Sequence, residues 1–169
     1  MKRGRFHLSF TLFVAGIALA HPAWSQDDAG GSPTPVKARD IVGTWTLVSI
    51  EDRQANGEIV YWMGRNPTGM IIYDAQGNMS VQIAHDPRPI EPADYRDPPV
   101  PYYAYFGTYT FSESEAAVTH HVQGCTNPRD VGGNFKRLVR LDGDQLILHV
   151  KSKAAADPWN RILVWKRAT

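Results

Sequence analysis

Apolar and polar positions alternate along the chain from about residue 41 onward. The clearest case is "NMSVQIA", where Met79, Val81 and Ile83 stand against Ser80 and Gln82. A period of two is the signature of a half-buried strand. β-Branched and aromatic residues likewise fill "IVGTWTLVSIED", "GEIVYW", "GMIIYD", "AYFGTYTFS", "AAVTHHVQG", "NFKRLVRL", "QLILHVK" and "NRILVWKR". Turn chemistry such as "AQGN" and "DGD" separates them. No long stretch keeps a helical period. The pattern predicts an all-β domain of about 8–10 strands with short connections. Sequential hairpins without a crossover make an antiparallel up-and-down meander. A meander of this size is expected to close into a β-barrel, because closure removes exposed strand edges.

Alternation also assigns faces. In "YFGTYTF", Thr108 and Thr110 fit the wet side, so Tyr105, Gly107, Tyr109 and Phe111 point inward. In "AVTHHVQ", Val118 and Val122 are the apolar pair, and His120 shares their face while His121 turns outward. In "FKRLVRL", Phe135, Val139 and Leu141 form the apolar face with Arg137 between them. Leu146, Leu148 and Val150 point inward on the next strand, with His149 outward. Two polar side chains, His120 and Arg137, are therefore expected inside, with Tyr105, Tyr109 and Phe135 beside them. A buried guanidinium needs an internal partner, water or an anionic ligand. Arg137 offers a bidentate fork suited to a carboxylate. His120 both accepts and donates. The plainer alternatives are an Arg137 that snorkels to a barrel rim and a His120 satisfied by a neighbouring hydroxyl or carbonyl.

Residues 84–103 break the rhythm and hold half of the chain's 12 prolines. Proline cannot donate to a ladder, so this is no central strand. It reads either as a lid or binding loop or as a passive excursion. At the other end, Lys2, Arg3 and Arg5 precede the apolar run "FHLSFTLFVAGIALA". Residues 1–25 thus read as a signal peptide cleaved before Gln26, or alternatively after Ala20; the run is too short for a membrane span. The Pro/Gly-rich residues 26–40 read as a flexible leader, and the folded domain as residues 41–169. The basic start and Ala-rich apolar run of the signal peptide look bacterial, which implies a periplasmic or secreted protein.

Charge and cysteine usage narrow the partners. The whole chain carries +1, and loss of Lys2, Arg3 and Arg5 with the signal peptide leaves −2. With no basic cluster there is no footprint for nucleic acid. The lone Cys125 cannot build a disulfide framework; it is either buried and inert or a cross-link between chains. No cysteine near the cleavage site offers a lipid anchor. The sequence has no Gly-rich phosphate loop and no nucleophile elbow. His85, His120, His121 and His149 lack metal-ligand spacing, so neither a metal nor another cofactor is expected. Glu51 and Asp52, at a strand end, read as solvated.

In order along the chain, "GTWTLVS", "PTGMIIYDAQGNMSVQI", "AYFGTYTF", "VTHHVQG" and "KRLVRLDGDQLIL" resemble the bacterial and fungal lipocalin-like domain family. The resemblance runs from about Ile41 to Arg167. It implies an antiparallel β-barrel with a small-molecule cavity. It also implies that Trp45, in the Gly-x-Trp begun by Gly43, plugs the closed end under a basic side chain from a late strand. Arg161 and Arg167 are the candidates for that role. The segment before "AYFGTY" departs from the family: it is short and proline-dominated, so the cavity mouth is expected to be shaped differently.

Three functional readings follow. In the first, an exported protein binds a small, mostly hydrophobic and possibly anionic molecule inside the barrel, oriented by His120 and Arg137. In the second, the barrel is an isomerase or cyclase with His120 as acid/base and Tyr105 or Tyr109 polarising a carbonyl. In the third, a packed barrel presents a strand edge or the proline-rich loop to another protein. Oligomeric state is left open by all three.

Overall fold

The computed structural model describes residues 35–86, 102–151 and 159–169. The signal peptide reading and most of the proline-rich segment lie outside the described residues. Nine strands follow a one-turn helix, α1 (Ala38–Ile41): β1 (Gly43–Gln54), β2 (Ile59–Val60), β3 (Thr68–Tyr73), β4 (Asn78–Ala84), β5 (Tyr102–Ser112), β6 (Ala117–Cys125), β7 (Asn134–Asp142), β8 (Gln145–Lys151) and β9 (Trp159–Arg167). A 3₁₀ turn, Pro128–Asp130, links β6 to β7. Helix α1 falls at the end of the stretch read as a flexible leader, so Ala38 to Asp40 carry structure. Strand β2 keeps only two of the residues that "GEIVYW" suggested.

Each strand pairs antiparallel with its neighbour in the sheet, and β1 also pairs with β9 from Trp45↔Arg167 to Gln54↔Trp159. That last ladder closes a ring of eight strands, β1 and β3–β9, as an up-and-down barrel. The short β2 hangs on the rim of β1 through Asp52↔Val60 and Arg53↔Ile59. Closure pairs the two outer strands of the meander with each other, the expected solution for a meander of this length.

The inward face follows the alternation with two corrections made by β-bulges. In β1 the register slips between Leu47 and Ser49. The extra residue lets Trp45 and Ile50 face the core although their spacing is odd, while Val48 is left exposed. In β5–β6 a second slip, next to Phe106 and Gly107, puts Tyr105 opposite Cys125 and Gly107 opposite Val122. Gly107 is needed there, because any Cβ would run into the His121 carbonyl. Ile71, Tyr73, Met79, Val81, Val118, Leu146 and Leu148 complete the core.

One end of the barrel is sealed by α1. The Trp45 indole, 1 % exposed, donates Nε1–H to the Ile41 carbonyl at 2.9 Å. The Arg167 guanidinium lies 4.0 Å over the same ring and donates to the Val42 and Asp40 carbonyls at 3.0 and 2.9 Å. Gly43 makes this approach possible. It has φ +136°, and a Cβ there would sit 2.7 Å from Arg167 Nη1. Of the two arginines considered for the cap, Arg167 takes it and Arg161 does not. Arg161 is at the other end of β9, where Nε and Nη2 each donate to Asp52 at 2.6 Å. Asp52 is therefore not a solvated strand-end acid: only 7 % is exposed, because the β1 bulge turns it to the inner face.

Arg167→Met is expected to lower unfolding free energy by about 1–2 kcal/mol, the scale of one cation–π contact plus charged hydrogen bonds at a partly exposed site. Gly43→Ala is expected to cost about 1–3 kcal/mol through backbone strain. Urea denaturation of both variants checks this; wild-type midpoints in both would show that the seal contributes nothing.

Candidate functional site

His120 occupies the centre of the inner face of β6, between Val118 and Val122, and is completely buried. Its two ring nitrogens are both engaged. Tyr73 Oη, at the end of β3, lies 2.7 Å from Nε2, and Tyr105 Oη, on β5, lies 2.7 Å from Nδ1. A neutral imidazole has one N–H and one lone pair. One tyrosine therefore donates to the ring and the other accepts from it, and the tautomer sets the direction of the chain. Burial, reinforced by the Arg137 and His121 charges, holds the His120 pKa well below 6.5. Burial raises both phenols. Tyr105 is pushed up to about 12 even with Arg137 beside it to favour the phenolate, and Tyr73 is raised well above its ordinary value. The three groups are thus neutral at physiological pH.

Tyr105 was expected beside His120 and is there. Tyr109 also stands opposite His120 in the β5–β6 ladder, but its hydroxyl does not reach the imidazole: it donates to the Asp74 carbonyl at 2.7 Å near the β3–β4 turn, and its ring packs edge-on against Tyr73 at 5.0 Å. Tyr73, which the sequence reading did not single out, takes the second place at the imidazole. The alternation of Gly69, Ile71 and Tyr73 within "GMIIYD" carried that signal. His121, on the outer face, meets Thr110 at 3.0 Å and Asn134 at 2.5 Å. An acid–base role for His120 requires a ring nitrogen within reach of a substrate, and both are held by phenols.

Above the imidazole is a cavity of about 40 Å³, room for roughly three water-sized groups. Ile71, Val81 and Leu148 form apolar wall, and Trp62, Tyr105, Arg137 and Trp165, which carry polar atoms, also line it. The interior is thus close to filled, well short of the ~300–1,000 Å³ of a small-molecule pocket. Arg161 also reaches this cavity, stacking 4.5 Å over the Trp62 ring while bound to Asp52. The sequence reading foresaw one interior cation; the second, Arg161, arrives already neutralised.

Arg137 is half-buried and differently placed. Its Nη1 donates to the Lys136 carbonyl at 3.1 Å and its guanidinium lies 5.3 Å over Phe135. Among the described residues it makes no ion pair. Phe135 in turn packs edge-on against Tyr105 at 5.7 Å. Arg137 also lines a second, larger space of about 490 Å³ with Phe135, Leu138 and Val150, flanked by Lys136 and Lys151. The topology explains this cleft. The β7–β8 ladder runs from Asp142↔Gln145 to Leu138↔His149 and stops. Beyond it Asn134–Arg137 stay with β6, and Val150 and Lys151 stay with β9. The seam between β7 and β8 opens there, and Arg137 borders both the cleft and the internal cavity.

Cys125, half-buried, accepts from the Asn127 amide at 3.4 Å and lies 4.0 Å from Asp130. Asp130 accepts the Tyr103 hydroxyl at 2.8 Å; burial and that hydrogen bond raise the Tyr103 pKa. Among the described residues no His/Cys/Asp/Glu group is arranged to hold a metal ion, and no helix is long and apolar enough to cross a membrane.

A family model described as a lipocalin-like domain matches residues 42–168. No curated protein and no solved structure matches the chain.

Because His120 is neutral when folded and titrates at 6.5 when free, the unfolded chain binds the extra proton first as pH falls. The contribution of His120 is complete above about pH 6.5 and declines below it. Melting temperature is therefore expected to drop between pH 7 and pH 5, and to drop less steeply in His120→Gln, whose amide still accepts and donates. Thermal denaturation monitored by circular dichroism checks this. Equal slopes in both proteins would mean that His120 is not buried neutral.

Proposed function

The chain belongs to the lipocalin-like domain family, and on that premise we propose that it binds a small amphipathic molecule with an apolar body and an anionic group. The observation that carries this is Arg137: a guanidinium bordering a ~490 Å³ cleft, without a carboxylate partner among the described residues. The cleft is within the usual size range for small-molecule sites. Phe135, Leu138 and Val150 supply apolar wall, and Lys136 and Lys151 add positive potential at the edges. The interior cavity is too small to take the whole molecule, so its body occupies the opened β7–β8 seam rather than the barrel axis. Charge-assisted hydrogen bonds from Arg137 orient the anionic end.

Octanoate and octanol separate this reading from simple greasiness. Arg137→Met is expected to weaken octanoate about tenfold, roughly the ~1.4 kcal/mol of one charge-assisted hydrogen bond at a half-exposed site, and to leave octanol unchanged. Isothermal titration calorimetry measures both. Equal octanoate affinity in the variant, or no binding of either compound to the wild type, refutes the assignment.

We also propose that the protein acts after export, which the basic, then apolar character of residues 1–25 supports. Amino-terminal sequencing of protein purified from its host is expected to begin at Gln26, or at His21 for the alternative site; a retained Met1 excludes export through this segment.

A further inference from the structure

The small internal cavity has a polarity that apolar burial does not explain. Trp165 is completely buried, yet its Nε1–H has no hydrogen-bond acceptor. The buried Nε1–H of Trp62 has none either. Both residues line the cavity, together with Tyr105 and Arg137. Indole and guanidinium nitrogens only donate. Among the described residues lining this space there is no carboxylate, amide or free imidazole nitrogen: the His120 nitrogens are taken by Tyr73 and Tyr105, and the Arg161 fork is closed on Asp52. Buried N–H groups without acceptors are rare in folded proteins. Two of them lining one space of about 40 Å³ point to something that accepts hydrogen bonds. A water molecule satisfies this poorly. It brings two O–H donors of its own, and the lining side chains offer them phenol oxygens but no carboxylate or amide. A carboxylate is acceptor-only and small enough.

We propose that this cavity is a carboxylate subsite, in which Trp62 and Trp165 indole N–H groups, with Tyr105 and Arg137, receive the anionic head of the bound molecule. This rests on the binding reading above and specifies its chemistry: the ligand enters head first, past Arg137, and leaves its apolar tail in the cleft against Phe135 and Val150. Binding also sets the direction of the tyrosine–histidine chain. For Tyr105 to donate to the carboxylate, it must accept from His120 Nδ1–H, so that Tyr73 donates to Nε2. The bound state therefore carries the Nδ1–H tautomer.

Formate tests the subsite without any tail. In a ¹H–¹⁵N spectrum of the indole groups, formate added at constant ionic strength is expected to shift the Trp165 and Trp62 Nε1–H resonances downfield in a saturable manner. Trp45, whose N–H already donates to Ile41, is the unmoved reference. In parallel, ¹⁵N imidazole shifts are expected to report His120 as Nδ1–H at saturation. Indole resonances that stay put up to molar formate overturn the subsite, as does a saturated state with His120 protonated on Nε2. Octanoate calorimetry is the separate arm. Octanoate that binds through Arg137 while formate leaves both indoles unmoved keeps the cleft and removes the subsite. Formate shifts without octanoate binding keep the subsite and remove the cleft.

Discussion

The ladder between β1 and β9 is the constraint on which the rest depends. It joins the first and last strands of the domain from Trp45 to Gln54 of β1 and turns a meander into a ring. Once the ring is closed, backbone groups pair around most of the circumference and, away from the β7–β8 seam, inward side chains meet on the axis. Polarity inside then has to be resolved within the barrel, side chain by side chain.

Most of the interior is resolved in that way. Trp45 and Arg167 settle the closed end with carbonyls of α1 and its flank. Asp52 and Arg161 neutralise each other at the opposite end of the same two strands. His120 is held between two phenols. Some partners come from adjacent strands, as Tyr105 of β5 does for His120 of β6 and as β1 and β9 do through closure, while Tyr73 of β3 reaches His120 across the interior. Arg137, Trp62 and Trp165 stand apart. The indole N–H groups of Trp62 and Trp165 have no acceptor, and Arg137 has no carboxylate partner among the described residues, beside the stretch where β7 and β8 part. Two of the three buried side-chain donors left without a partner among the described residues, those of Trp62 and Trp165, thus belong to residues lining one cavity, which is what the proposed guest would use.

The volume inside decides the form that the guest takes. Tyr73, Tyr105, Trp62 and Trp165 are large, and together with the aliphatic core they leave about 40 Å³. A wide, greasy calyx is thus replaced by a nearly filled barrel with a polar niche, and the roomier space is at the wall. That arrangement separates the two tasks of recognition: apolar contact at the opened seam, and hydrogen-bond selection within.

The strands, their hairpin order and the inward placement of His120, Arg137, Tyr105 and Phe135 were legible in the sequence, because a period of two and turn residues are local properties of the chain. So was the lipocalin-like architecture, carried by ordered blocks that span the whole domain. Two kinds of information were not local. The bulge after Leu47 reverses the faces of the rest of β1, and only the pairing with β9 reveals it; Asp52, read as a solvated acid at a strand end, is buried against Arg161. Which arginine caps Trp45, which tyrosine completes the imidazole, and how much space remains on the axis depend on distances between strands far apart in sequence. By itself the sequence determined which residues face inward on most strands; the tertiary structure alone decided who meets whom there, because contact across a barrel is set by register and closure rather than by order along the chain.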